Sequence, residues 1–323
     1  MNVADADLAE VRSPSISVVI CVYTEERSDQ IRAAIDSVLA QTLPATETIV
    51  VVDHNPALYK RLVAAGTDVT VAENQEASGL SGGRNTGVAL AQGEIIAFLD
   101  DDAVAHPDWL KCLVDAYANP EIQGVGGLAL PNWQTVRPSW MPEEFYWVVG
   151  CNYRGMPPSG MPVRNLIGGN MSFRREVFAV IDGFQAGIGR SAAKRPFGGE
   201  ETEFCIRLAQ KSPGSLLVME HRALVFHFIP DSRCRFSYFL SRCYAEGISK
   251  ARVTANVGFS DGLSVENSYA TRTLPVGVAR GVADLFRGDP TGLARAGCII
   301  AGLAVTAVGY LRARLARVPS PKL

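Results

Sequence analysis

The chain has 323 residues, 47% of them hydrophobic and 20% charged, which is apolar enough for one large core or two modest ones and argues against extended disorder. A formal charge of -2 and an isoelectric point near 6.1 leave no basic footprint for nucleic acid, so any phosphate must be held locally. The seven cysteines (Cys21, Cys112, Cys151, Cys205, Cys234, Cys243 and Cys298) include no CxxC pair, which argues against a zinc knuckle or disulfide framework and fits a reducing cytosol.

Residues 1–14 read as a flexible lead-in; Asp5, Asp7 and Glu10 stand there and no basic-then-apolar secretory pattern is seen. Ser15 to Tyr23 is a continuous β-branched run, the pattern of a strand buried on both faces. From Arg27 to Gln41, Ile31, Ala34, Ile35, Val38 and Leu39 recur at three and four, giving one apolar helix face that ends before Pro44. The alternation continues with strands at 48–53, 68–72 and 94–99 and helices at 56–65 and 81–91. It predicts a parallel sheet with helices on both faces, whose ligands sit at the carboxyl ends of the strands. Further on, a helix is expected over 107–117, strands over 124–130 and 165–173, and a helix over 174–181. A helix over 200–211 and short strands at 216–219 and 223–228 follow. Between them, 131–160 is a proline-rich connection carrying Trp133, Trp140, Tyr146, Trp147 and Tyr153, and connections of this length are usually functional.

Three carboxylates, Asp100, Asp101 and Asp102, follow the strand at 94–99 directly. Adjacent anions repel, and Mg²⁺ or Mn²⁺ relieves that repulsion while keeping positions open for phosphate oxygens and water. The alternative is an acidic helix start ahead of Pro107. Ser81 to Asn85 forms a turn into a helix in which two glycines allow close backbone approach and Arg84 offers a planar charged fork, so a diphosphate contact is expected of Arg84. No GxGxxG or GxxxxGK[ST] occurs, which disfavours a dinucleotide-binding oxidoreductase or a P-loop enzyme.

The run FLDDDA, preceded by GLSGGRNTGVALAQGEIIA and opened by SVVICVYTEER, resembles the family 2 inverting glycosyltransferases of the GT-A fold. The resemblance covers about Ser15 to Pro230. It implies a Rossmann-like α/β domain at 15–232 followed by a helical region at 233–323. It also implies metal-dependent transfer of a sugar from a nucleotide-diphosphate donor to an acceptor hydroxyl. Asp100 to Asp102 become the DXD motif, with Asp102 as metal ligand and Asp100 or Asp101 touching metal or ribose. Asp53 takes the nucleobase position, and Tyr23 and Glu25 flank base and ribose; as plain sequence, Asp53 and Thr24–Glu25 could equally be helix caps. The family's Glu-Asp pair corresponds to Glu200 and Glu201, so the catalytic base is a glutamate here, on a longer arm. The other reading of that cluster is an acidic first turn complementing the helix dipole. His227, in LVFHFIP, corresponds to a histidine that completes the metal site in part of the family, though a core histidine is the commoner case. Gly168, Gly169 and Asn170 fall where a small-residue strand lines the donor sugar; a bulged strand is the alternative.

Two other functions compete with this reading. A sugar nucleotidyltransferase shares a related sheet but carries a glycine-rich basic signature after its first strand, where Tyr23, Thr24, Glu25 and Glu26 stand here. The other is a binding protein that keeps the fold without turnover. Residues 296–311 contain no charged side chain, and Arg312, Arg314 and Arg317 follow. That stretch reads as a core helix, an interfacial helix or a short span. Membrane association is favoured, with the arginines at the cytoplasmic face of the cell membrane. The acceptor, lipid-linked or polysaccharide, is left open, as is the donor's base and sugar.

Overall fold

The computed structural model describes residues 13–187 and 197–316. The expected lead-in therefore lies outside the described residues up to residue 12, as does Arg317. Among the described residues one sheet contains β1 Ile16–Val22, β2 Glu47–Val52, β3 Thr70–Glu73, β4 Ile95–Asp100, β5 Ala103–Ala105, β6 Ile122–Trp133, β7 Asn170–Arg174 and β8 Leu216–Ile229. Its order is β3-β2-β1-β4-β7-β6-β8-β5. The first four neighbours pair in parallel, as does β6 with β8, whereas β7 is antiparallel to β4 and β6, and β5 is antiparallel to β8.

Side chains alternate along β1, which explains its unbroken apolar run. Val18, Ile20 and Val22 meet Ile31, Ile35 and Val38 of α1 (Ser28–Leu39), with Leu58 of α2 (Pro56–Ala64) and Trp109 of α4 (Trp109–Ala116) in the same core. Val19 points the other way, into a second core with Phe98, Phe173 and Phe204. There α3 (Leu80–Leu90) lies so close that a Cβ on Gly87 would stand 2.4 Å from Val19 Cγ1. The helix expected at 174–181 shortens to α5 (Val177–Val180), while α6 (Glu200–Lys211) forms as expected.

Two expectations for the second half are corrected. The strand expected at 165–173 begins only at Asn170, because the chain before it turns, with Asn170 N donating to Ile167 O. The two short strands at 216–219 and 223–228 are one strand, β8, whose pairing with β6 shifts register between Glu220 and Leu224. The three-residue β5 was not anticipated. After β8 the chain is helical: α7 (Phe236–Val257), α8 (Phe259–Gly262), α9 (Ser264–Ser268), α10 (Leu274–Phe286) and α11 (Thr291–Leu315). A third core of Phe145, Phe239, Leu274 and Ile299 joins these helices to the aromatic connection.

Candidate active site

The carboxyl ends of β1, β2 and β4 open on one side of the sheet and deliver Tyr23, Asp53 and the acidic triplet. The triplet divides by function. Asp100 is the most exposed of the three, and with Gly169 it lines a cavity of about 210 Å³. Asp101 turns away into the protein, where its Oδ1 accepts from Arg27 Nη1 at 2.7 Å. Burial and the neighbouring charge of Asp102 raise Asp101 to about 7. Asp101, like Asp102 and His227, is not among the residues lining that cavity.

Asp102 is buried, and its position is set by the unanticipated β5. Ala103 stands opposite His227 in the β5–β8 ladder, and Phe228 N donates to Asp102 O at 2.7 Å. That pairing brings His227 Nε2 to 2.8 Å from Asp102 Oδ1. Arg27 and Arg233 hold the other oxygen, at 3.0 and 3.4 Å. Burial works to raise Asp102, but His227, Arg233 and Arg27 outweigh it and keep the carboxyl well below the usual range. Burial works to lower His227, and Asp102 with Cys151 outweighs it, lifting the imidazole to about 10.

Asp100, Asp102 and His227 each offer one donor atom, all within 4.8 Å of one another. Asp102 Oδ1 and His227 Nε2, 2.8 Å apart, are joined by a hydrogen bond, so His227 would have to release its Nε2 proton to hold an ion. Two carboxylate oxygens and one imidazole nitrogen form a set that fits a divalent transition ion such as Mn²⁺. Arg27 and Arg233 were not singled out in the sequence. Arg27 belongs to the run SVVICVYTEER but read there only as the start of a helix.

Arg84 joins the second acidic cluster to the first. It is 2% exposed; its Nη1 donates to Glu200 Oε1 at 3.0 Å and its Nη2 to Gly168 O at 3.0 Å. Asp100 Oδ1 is 3.9 Å away, and the guanidinium lies 5.9 and 5.4 Å from the ring centres of Phe98 and Phe184. Arg84 thus ties α3 to α6 and to Gly168 through two of its N–H groups, and it also lines the cavity. Asn170 is fully buried, its Oδ1 accepting from Trp109 Nε1 at 2.8 Å and its Nδ2 donating to Ala223 O at 2.9 Å, and it is not among the residues lining the cavity.

With Glu200 bound to Arg84, Glu201 is the half-buried carboxylate of the first turn of α6 and lines the cavity. Burial and the charge of Glu200 push it up to about 8. At the far end of the opening Tyr23 is half exposed. Asp53 Oδ2 accepts from Gly79 N at 2.9 Å and from Ser78 Oγ at 3.2 Å, and its Oδ1 accepts from Asn74 Nδ2 at 2.7 Å, which ties β2 to the loop before α3. Glu25 is exposed in a short 3-10 turn, Glu25–Arg27, whose preceding Thr24 accepts from Glu26 N.

The pattern of glycosyl transferase family 2 matches residues 17–181. The chain belongs to that family. Among its relatives this family 2 glycosyltransferase is 37% identical over 239 residues to a glucosyl-dolichyl phosphate glucuronosyltransferase of Haloferax volcanii, spanning 73% of this chain and 76% of the relative. It is 22% identical over 250 residues to the succinoglycan biosynthesis protein ExoM of Rhizobium meliloti, 74% of this chain and 75% of that one. In fold it is similar to the Pyrobaculum calidifontis mannosyltransferase PcManGT in complex with GDP-Man and Mn²⁺, with a TM-score of 0.60 at 18% identity over 93% of this chain and 88% of that one. The fold is thus GT-A-like, a mixed, largely parallel sheet with a helical C-terminal region.

Proposed function

We propose that this glycosyltransferase moves a sugar, with inversion, from a nucleotide-diphosphate donor to a hydroxyl of a lipid-linked acceptor, with Glu201 as the base. One observation carries the assignment: Glu200, Glu201 and Asp100 all line the same cavity, and Glu200 is the one of the two glutamates that is bound to Arg84. A carboxylate raised towards neutral pH is a competent proton acceptor, and Glu201 takes the proton of the acceptor hydroxyl as its oxygen bonds the anomeric carbon. The bond from that carbon to the diphosphate breaks with its electron pair leaving on the phosphate. Asp100, Asp102 and His227 would hold the divalent ion, Mn²⁺ or Mg²⁺, which when bound supplies Lewis-acid neutralisation of the leaving diphosphate. Gly169 lets the donor sugar approach beside Asp100, and Tyr23, Glu25 and Asp53 receive base and ribose.

The lipid-linked acceptor rests on the dolichyl phosphate substrate in the name of the Haloferax relative. The aromatic and aliphatic wall that Phe145, Trp147, Leu274 and Leu303 give the cavity is consistent with it. We assign the enzyme to the cytoplasmic face of the membrane because Arg312 and Arg314 directly follow the uncharged run 296–311. A panel of nucleotide sugars screened with Mn²⁺ for thermal stabilisation, then for slow donor hydrolysis, tests the proposal. The expected result is one donor that does both, with both lost in Asp102→Ala; metal-independent turnover would refute the mechanism.

A further inference from the structure

The hairpin of α10 and α11 ties two of its arginines into ion pairs and turns a row of aliphatic and aromatic side chains outward. Arg280 Nη1 donates to Glu144 Oε1 at 2.6 Å, and Arg295 Nη2 donates to Asp284 and Asp289 at 2.8 and 2.7 Å. The outer side presents Val276, Phe286, Leu293, Ile300, Val308 and Leu311, of which Ile300 is 60% and Phe286 84% exposed. A helix that faces water normally carries polar residues on that side, and an apolar patch this continuous marks an interaction surface. Arg272, Arg287, Arg312 and Arg314 are exposed around it.

We infer that this face lies in the interface of an anionic lipid bilayer, with α11 parallel to the membrane plane. At 25 residues the helix is roughly 37 Å long, enough to cross. Its inner side is, however, pinned along its length. A Cβ on Gly292 would meet Gly281 O at 2.3 Å, on Gly302 the Phe145 ring at 2.5 Å, and on Gly309 Tyr244 O at 2.3 Å. Crossing would draw Arg242, Glu246 and Lys250 of α7 and Arg280 and Asp284 of α10 towards hydrocarbon, which penalises charge heavily. Lying in the plane buries the outer aliphatic stripe and leaves those charges inside the protein. A second copy of the chain is the other way to cover such a face. Four exposed arginines against one half-exposed acid, Asp289, suit an anionic headgroup layer better than a self-complementary interface, where they would face one another. Leu303 and Thr306 of α11 also line the catalytic cavity, so the membrane face and the cavity wall share one helix. In that respect the inference rests on the lipid-linked acceptor reading.

The full chain is mixed with vesicles of phosphatidylcholine alone or with phosphatidylglycerol, and binding is read by co-sedimentation. Stronger binding to the anionic vesicles is expected. Ile300→Glu or Phe286→Glu should weaken it about tenfold or more, with an unchanged melting temperature because both positions are exposed. Tryptophan placed singly as Leu293→Trp, Ile300→Trp and Val308→Trp, with lipids brominated at different depths, should report one shallow depth. A depth that changes steadily along the helix would show a span and overturn the inference. Failure of the wild type to bind either vesicle, with dimers in sedimentation equilibrium, would overturn it as well. Donor hydrolysis in vesicle-free buffer reads the transferase mechanism separately. Hydrolysis without vesicle binding sinks only this inference, and vesicle binding without hydrolysis sinks only the mechanism.

Discussion

The Arg84–Glu200 pair offers a direct test of how the site is assembled. Both side chains are almost fully buried, 2% and 4% exposed, and meet at 3.0 Å. Removing one member of such a pair leaves the other buried without its partner, at a cost of about 3–5 kcal/mol. For Arg84→Met the lower end applies, about 3 kcal/mol, because the stranded Glu200 can take up a proton instead of staying charged. Glu200→Gln should cost less, roughly 1–2 kcal/mol, since Arg84 keeps Gly168 O at 3.0 Å and Asp100 at 3.9 Å. The double variant should recover at least about 1.5 kcal/mol relative to the sum of the singles. Urea unfolding followed by circular dichroism measures all four corners, and Arg84→Met alone should lower the melting temperature by roughly 4–5 °C. Additivity within about 0.5 kcal/mol would refute the tie. Loss of donor affinity in Arg84→Met at unchanged stability would return Arg84 to the diphosphate.

Glu201→Gln should lower kcat by about 10²–10⁴ at nearly unchanged KM, whereas Glu201→Asp should keep part of the activity. Because Glu201 is raised to about 8 and acts as its anion, kcat should climb with pH and reach half its plateau near that value, a limb that the residual activity of Glu201→Gln lacks. A Cβ at Gly169 would stand 2.6 Å from Asp100 Oδ2, so Gly169→Ala should displace that carboxylate and raise the Mn²⁺ concentration for half-maximal activity by roughly tenfold or more, read in a metal titration. Chelation should abolish transfer and added Mn²⁺ restore it. His227→Ala should weaken Mn²⁺ binding in calorimetry, and an unchanged affinity would remove His227 from the metal site.

Local pattern was enough for the first half of the fold. Ile31, Ala34, Ile35 and Val38 mark a helix face wherever the helix packs, and a β-branched run such as Ile16–Val22 needs cover on both sides. The acidic triplet was visible for a similar reason, since it follows β4 without a break. Its internal division was not visible. Asp100 lines the cavity, Asp101 points to Arg27 and Asp102 meets His227 because of a three-residue strand, too short to leave a periodic signal, that pairs with β8 more than a hundred residues later. Arg84 and Asn170 carried plausible polar signals, and only packing revealed that each also makes hydrogen bonds inside the protein. The apolar run at 296–311 was legible as apolar but not as outward-facing, because a stripe of small and aliphatic residues looks the same to either side until α7 and α10 occupy one of them. By itself the sequence determined the alternating strands and helices from β1 to β4 and which residue types reach the ligand end of the sheet there, since those follow from periodicity and chain order. Tertiary structure alone decided which polar groups are spent on the protein and which face the cavity, because a hydrogen bond or ion pair between distant segments depends on distances that no local pattern encodes.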